Sequence, residues 1–261
     1  MKTYAFTNQK GGVGKTTSCA NIGVGLAMTQ RQTLLIDLDP QANLTTCLGL
    51  TAGESDIYDV LRGRAKFSDI ILSRPLQIQH RGDPLTIDIA PASLALSGAD
   101  IELSTVISRE TLLKRALEEV SEKYDYVLID CAPSLGLLTG NALTASNQVL
   151  VPVQAEYLSL EGLAQLLQAL EQIKVVNPQI GIGGVIVTMY DKRRILNKEV
   201  KEALKERFGD VVFEPPIREN IKLAEAPSAG LSIFEYDGQS FGAQDYAAIV
   251  GELIQRELSY V

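Results

Sequence analysis

Tryptophan is absent from the 261 residues, histidine occurs once, at His80, and the three cysteines, Cys19, Cys47 and Cys131, are scattered. A single histidine cannot supply a three-histidine metal site and makes a Ser-His-Asp triad improbable, so His80 reads as an exposed loop residue. An odd, dispersed set of cysteines argues against a disulfide framework and fits a reducing compartment. Cys19 and Cys131 fall among apolar residues and read as small core side chains. No apolar run reaches bilayer-spanning length, and the first strand begins too close to Met1 for a signal peptide, so a cytoplasmic protein is expected. Internal repeats, Ser/Gly linkers and low-complexity segments are missing as well, which leaves one domain over residues 1–261. The net charge of −8, from 24 basic and 32 acidic residues, excludes a surface coated in positive charge. Contact with nucleic acid would therefore need a local patch.

What is present starts near the N-terminus. Thr3-Tyr4-Ala5-Phe6-Thr7 reads as a buried strand, and Cys19, Ala20, Ile22, Gly23, Leu26 and Ala27 recur at helical spacing. Between them lies Asn8-Gln9-Lys10-Gly11-Gly12-Val13-Gly14-Lys15-Thr16-Thr17. A glycine-rich turn running into a helix N-terminus is an anion site, because glycine lets the backbone wrap closely and the first helical N–H groups are unpaired. Gly14-Lys15-Thr16 is the end of a P-loop, in which Lys15 meets the β/γ-phosphates and the Thr16 hydroxyl binds Mg²⁺. The ordinary pattern has a glycine where this chain has Gln9, and Lys10 adds a second cation to the loop.

Alternating strands and helices follow. Gln32 to Ile36 is a second apolar strand, ending in Asp37-Leu38-Asp39-Pro40-Gln41-Ala42-Asn43. Paired acids at the carboxyl end of a parallel strand lie where open α/β sheets bind ligands, although Asp-Pro alone also starts turns. From Ile57 to Arg81 the signals are weaker: Tyr58, Leu61 and Gly63 suggest a short helix, Ile70-Ile71-Leu72 and Leu76-Gln77-Ile78 do not separate strand from helix ends, and Leu85 to Ile89 alternates as a strand. Ser108 is a candidate N-cap for a helix through Leu112, Leu113, Ala116, Leu117 and Val120. Tyr124 to Asp130 reads as an apolar strand ending in Asp, the Walker B form. Gln148–Val153 and Gly183–Thr188 complete the strands, with a helical face of Leu160, Leu163, Leu167, Leu170 and Ile173 between them. The expected fold is α/β: a single-domain, three-layer P-loop NTPase with a twisted, mostly parallel sheet and helices on both faces.

Lys-Gly-Gly-Val-Gly-Lys-Thr-Thr is the deviant Walker A motif, and on it and Asp-x-Asp-Pro-Gln-x-Asn the chain resembles the ParA/MinD family of ATPases, its short ParA/Soj branch most of all. The resemblance implies ATP and Mg²⁺ as cofactors, cradled by Lys10, Gly11, Gly12, Val13, Gly14, Lys15, Thr16, Thr17 and Asp130. Thr16, Asp37 and Asp130 would serve the metal, with Asn43 near the phosphates. Lys10 would cross to the nucleotide of a second subunit, Lys15 would stabilise the transferring phosphoryl group and Asp39 would orient the attacking water. Met189, Asn220 and the backbone at Arg218 would meet the nucleotide. Cys131-Ala132-Pro133-Ser134-Leu135 keeps one of the family's two prolines, a departure that loosens the second switch.

A helix opened by Lys192-Arg193-Arg194 and running to about Phe208 puts Arg194, Lys198, Lys201 and Lys205 on one face, with Leu196, Val200, Ala203 and Leu204 on its buried side. Such a stripe is either a solvated face steadied by pairs such as Lys198 with Glu202 or a site for DNA phosphates. The resemblance favours DNA, through Lys192, Arg193, Arg194, Lys198, Arg218 and Lys222, with Glu219 standing in the family's arginine slot. It implies a nucleoid-associated partition ATPase that pairs on ATP, holds nonspecific DNA and is released when a ParB-like protein stimulates hydrolysis. A MinD-like membrane switch or an ATPase that positions protein clusters is the alternative. From Gly242 to Val261 the only basic residue is Arg256, so no stable membrane association is expected. An iron–sulfur reductase lacks paired cluster cysteines, and a small-molecule ligase or amidase lacks an added substrate domain. A scaffold that binds nucleotide and barely turns it over would differ only in an activity assay.

Overall fold

A computed structural model describes residues 1–78, 84–156 and 159–258, so His80 lies outside the described residues. Seven strands form one sheet: β1 Lys2–Phe6, β2 Thr33–Leu38, β3 Leu72–Pro75, β4 Thr86–Ala90, β5 Tyr126–Cys131, β6 Gln148–Gln154 and β7 Ile182–Thr188. Their spatial order is β3-β4-β2-β5-β1-β6-β7, parallel throughout except for the edge strand β3, which runs antiparallel to β4. Central strands alternate between two cores. Leu34, Ile36 and Leu38 face one side of β2 and Leu35 the other, and Val127 and Ile129 of β5 oppose Tyr126 and Leu128. Both faces are therefore covered, as the near-continuous apolar runs require.

Helix α1 (Lys15–Met28) leaves the end of β1 and packs between the sheet and the C-terminal helix α2 (Phe241–Leu258). Two glycines permit this close approach: a Cβ on Gly25 would stand 2.7 Å from Val250 Cγ2, and one on Gly23 would run into Leu35. The opposite layer holds the helices Leu137–Ala145 and Ser159–Ile173.

Several local expectations need correction. The ambiguous stretch before β4 resolves into a short helix, Phe67–Ile70, and the antiparallel strand β3. Ser108 takes a left-handed conformation (φ 55°) and makes no side-chain cap. The basic helix starts at Ile195, so Lys192-Arg193-Arg194 form the turn before it. Its buried side is Asn197, Val200 and Leu204, while Leu196 is 43% exposed. The Asn197 amide earns that position by hydrogen bonding: it donates to the Ala155 carbonyl and accepts from the Asp191 N–H.

Candidate active site

The carboxyl ends of β1, β2 and β5 meet in one place, because register pairs Phe6 with Asp130 and Asp37 with Asp130. The P-loop springs from this edge. Gly12 and Gly14 have φ of 73° and 86°, a region closed to most side chains, and Gly14 caps α1 without any side-chain hydrogen bond. The first amides of α1 are therefore left for an anion. Val13 is buried, and its carbonyl accepts from the Thr188 hydroxyl (2.9 Å), which ties the loop to the end of β7. An open cavity of about 620 Å³ is lined by Gly11, Gly12, Gly14, Lys15, Thr16 and Thr17 on this side. Asp39, Asn43, Thr46 and Cys47 line its second side, and Met189, Leu223, Ala226, Pro227, Ser228, Leu231 and Ser232 the third.

The charges inside are unbalanced. Asp37 and Asp130 are wholly buried, and burial pushes the Asp130 carboxyl well above its usual range, helped by the neighbouring Asp37 and opposed by Thr16. Burial likewise pushes Asp37 up to about 6, against three hydrogen bonds that favour its charged form. Thr16 Oγ1 donates to Asp130 Oδ2 at 2.6 Å, while Asp130 Oδ1 is buried with no donor among the described residues. Lys15 is buried beneath the loop, its ammonium on the Lys10 carbonyl at 3.3 Å, and burial lowers its pKa while Asp130 raises it. A cavity lined by anion-binding amides and a lysine, with an orphaned carboxylate oxygen buried behind Thr16, fits a nucleotide and a divalent cation. Thr16, Asp37 and Asp130 are the residues that would hold the cation directly or through water.

Asp39 lines the cavity, and its Oδ1 accepts from the Gln41 N–H (2.9 Å), which restrains the carboxylate. Lys10 lies apart from the cavity lining: its amine reaches to Gln154 (3.3 Å), the last residue of β6, and to Glu156 (2.6 Å) just past it. The two lysines of the loop thus point in different directions. Met189, with φ 52°, is on the cavity wall, whereas Arg218 and Asn220 are not. The Asn220 side chain accepts from the Lys222 N–H as a helix cap, and the Arg218 guanidinium is bound by Asp245 and lies 4.2 Å over the Phe241 ring. The segment after Asp130 is braced, since Thr139 donates to the Ser134 carbonyl and Asp100 accepts from the Leu137 N–H.

Sequence reasoning missed Thr45, whose N–H and hydroxyl both donate to Asp37 Oδ2 (2.9 and 2.8 Å). A β-branched hydroxyl eight residues past Asp37 was the only available sign. It also missed the Leu223 to Ser232 wall, whose residues carry no phosphate motif.

On the basic surface, neighbouring acids, some local and some from other segments, take up most of the cations. Lys201 and Lys205 share Glu214, Arg193 pairs with Asp191, and Lys222 pairs with Glu225. Glu219 is ion-paired with Arg194 at 3.1 Å. Lys192 and Lys198 are exposed and have no ion pair among the described residues, so the expected Lys198–Glu202 pair is not formed. Among the described residues no helix is long and apolar enough to cross a membrane.

Comparison with known proteins places these features. A family model described as an AAA domain matches residues 1–182. The chain is 45% identical to the chromosome-partitioning ATPase Soj of Treponema pallidum, covering 98% of each chain. It is 46% identical to the sporulation initiation inhibitor protein Soj of Bacillus subtilis, covering 97% of this chain and 98% of that one. Among solved structures, cobyrinic acid a,c-diamide synthase of Mycobacterium smegmatis with bound ADP and magnesium is 34% identical, with a TM-score of 0.83 over 100% of this chain and 97% of that one.

Proposed function

The chain belongs to the AAA-domain family of ParA/Soj-type P-loop ATPases, and from that premise we propose that it partitions DNA by an ATP-dependent cycle of pairing and release. The observation that carries the reading is the divergence of Lys10 and Lys15 on one loop. Lys15 lines its own cavity, while Lys10 lies apart from that lining on Glu156, and would reach a second copy facing the first once that pair opens. Bound Mg²⁺ supplies charge neutralisation at the phosphates. The protein does the rest: the α1 amides and Lys15 hold the phosphate charge, Thr16 is kept in place by Asp130, and Asp39 accepts a hydrogen bond from the attacking water. Pairing is favoured by contacts to the γ-phosphate that are lost after hydrolysis, so occupancy acts as a switch.

The paired form would hold DNA nonspecifically through the Lys192 to Lys198 surface, and a ParB-like protein would speed its release. The protein would thus divide its time between cytoplasm and nucleoid, with chromosome, plasmid or protein cluster as cargo. The test is retention of the protein on DNA of mixed sequence with ATP, with ADP and without nucleotide, with Arg193→Ala alongside. Retention with ATP alone, weakened by the substitution, supports the reading, and equal retention in all three conditions overturns it. The amide chemistry named for the mycobacterial neighbour would show as turnover stimulated by a small carboxylic acid rather than by DNA.

A further inference from the structure

Of the four residues of the edge strand β3, Arg74 alone is buried. An inward-pointing charge on an edge strand often guards against strand addition. Here it has more definite partners. Arg74 Nη1 donates to both oxygens of Glu235 (2.9 and 3.2 Å), and Nη2 donates to the Gly230 carbonyl (3.1 Å). Glu235, whose side chain is 0% exposed, accepts in addition from the Ser232 N–H (3.0 Å) and the Ser232 hydroxyl (2.7 Å). One guanidinium therefore fixes Gly230 directly and Ser232 through Glu235.

That segment is the wall of the cavity, where Leu231 and Ser232 stand beside Ala226, Pro227 and Ser228. It also touches the opposite wall. Gly49 (φ 72°) and Gly230 (φ 68°) lie backbone against backbone, so that a Cβ on Gly230 would stand 2.8 Å from Gly49 Cα. Gly49 closes the turn after Asn43–Cys47, the short helix that brings Asn43, Thr46 and Cys47 to the cavity and Thr45 to Asp37. The two walls of the cavity that do not belong to the P-loop thus come into backbone contact at this glycine pair, and Arg74 holds one member of it.

We propose that Arg74 is a positioning residue for nucleotide binding, which sets the spacing between the Gly230–Ser232 wall and the Asn43–Gly49 segment without touching the ligand. The proposal rests on the cavity being the nucleotide site. Arg74→Lys keeps the charge, but one ammonium cannot span the Glu235 carboxylate and the Gly230 carbonyl as the planar fork does. ATP turnover is measured against ATP concentration, with the melting midpoint in parallel. The expected result is a KM raised about tenfold with kcat within about twofold of the parent, the mark of lost binding rather than lost chemistry. Lys15, Asp39 and Asp130 are held by other elements and keep the chemical step intact. Gly230→Ala leaves the Arg74–Glu235 pair in place and should raise KM in the same way, so it carries the test if the lysine variant does not fold. A lowered midpoint with unchanged KM, or a fall in kcat alone, makes Arg74 a structural staple and overturns the proposal. Failure of the parent protein to bind ATP removes the reading of the cavity itself, a result separate from either.

Discussion

Replacing Thr45 by valine keeps the side chain's shape and removes one hydroxyl, which in this protein answers two groups. The hydroxyl donates to Asp37 Oδ2 at 2.8 Å and accepts from the Ala92 N–H at 3.2 Å, and Ala92 is 2% exposed. A hydrogen bond to a charged group contributes about 1.5–3 kcal/mol, and an orphaned buried donor costs about 1–3 kcal/mol. The two losses share one atom and do not add fully, so Thr45→Val should lower stability by about 3 kcal/mol. With a urea m-value of about 2–3 kcal/mol/M for a chain of this size, the midpoint falls by about 1 M at unchanged slope. Asp37 retains the N–H groups of Thr45 and Asp39, so the site survives. It should then need more Mg²⁺ to reach half-maximal ATP turnover, because losing a donor weakens the charged form of the carboxylate. Thr45→Ser restores both properties. An unchanged urea midpoint in the valine variant, or a serine variant that behaves like valine, would refute the argument, the latter by assigning the effect to the methyl group.

Asp39→Ala should keep ATP binding and lose turnover, leaving the protein on DNA, as read by nucleotide retention and DNA co-sedimentation. Lys10→Ala should abolish hydrolysis while one copy still binds ATP through Lys15, checked by equilibrium binding beside a phosphate-release assay. Gly25→Ala sets a helix-propensity gain of about 1 kcal/mol against overpacking of about 1–3 kcal/mol on Val250 and Phe234, so thermal melting should show a net loss. Gly140→Ala, where an added Cβ meets nothing within 4 Å, should instead raise the melting midpoint by about 2–4 °C. Lys192→Ala and Lys198→Ala should each reduce the salt dependence of DNA retention by about one unit of slope, if each meets one phosphate.

The strands and the P-loop were legible because their signals are local: an apolar run, a glycine turn, a carboxylate at a strand end. The edge strand β3 was not, since Leu72-Ser73-Arg74-Pro75 has no apolar alternation and its one buried side chain is a cation with partners some 160 residues away. Asn197 is missing from the expected buried face for a related reason, because its burial is justified by the Ala155 carbonyl and the Asp191 N–H rather than by any apolar character of its own. The basic stripe shows the limit most clearly. Spacing placed its residues on one face, but Glu214 and Glu219, which pair with three of its four cations, come from other segments.

Helix α1 has a further consequence. Eleven of its fourteen residues are buried, and it is gripped by the sheet through Gly23 and by α2 through Gly25. A rod wedged so tightly has no room to pivot when its ligand is exchanged for the spent product. Any movement that reports turnover must therefore travel through the loops at its head, between Asp39 and Gly49 and between Met189 and Ser232, while the P-loop itself stays still as the fixed reference against which they shift.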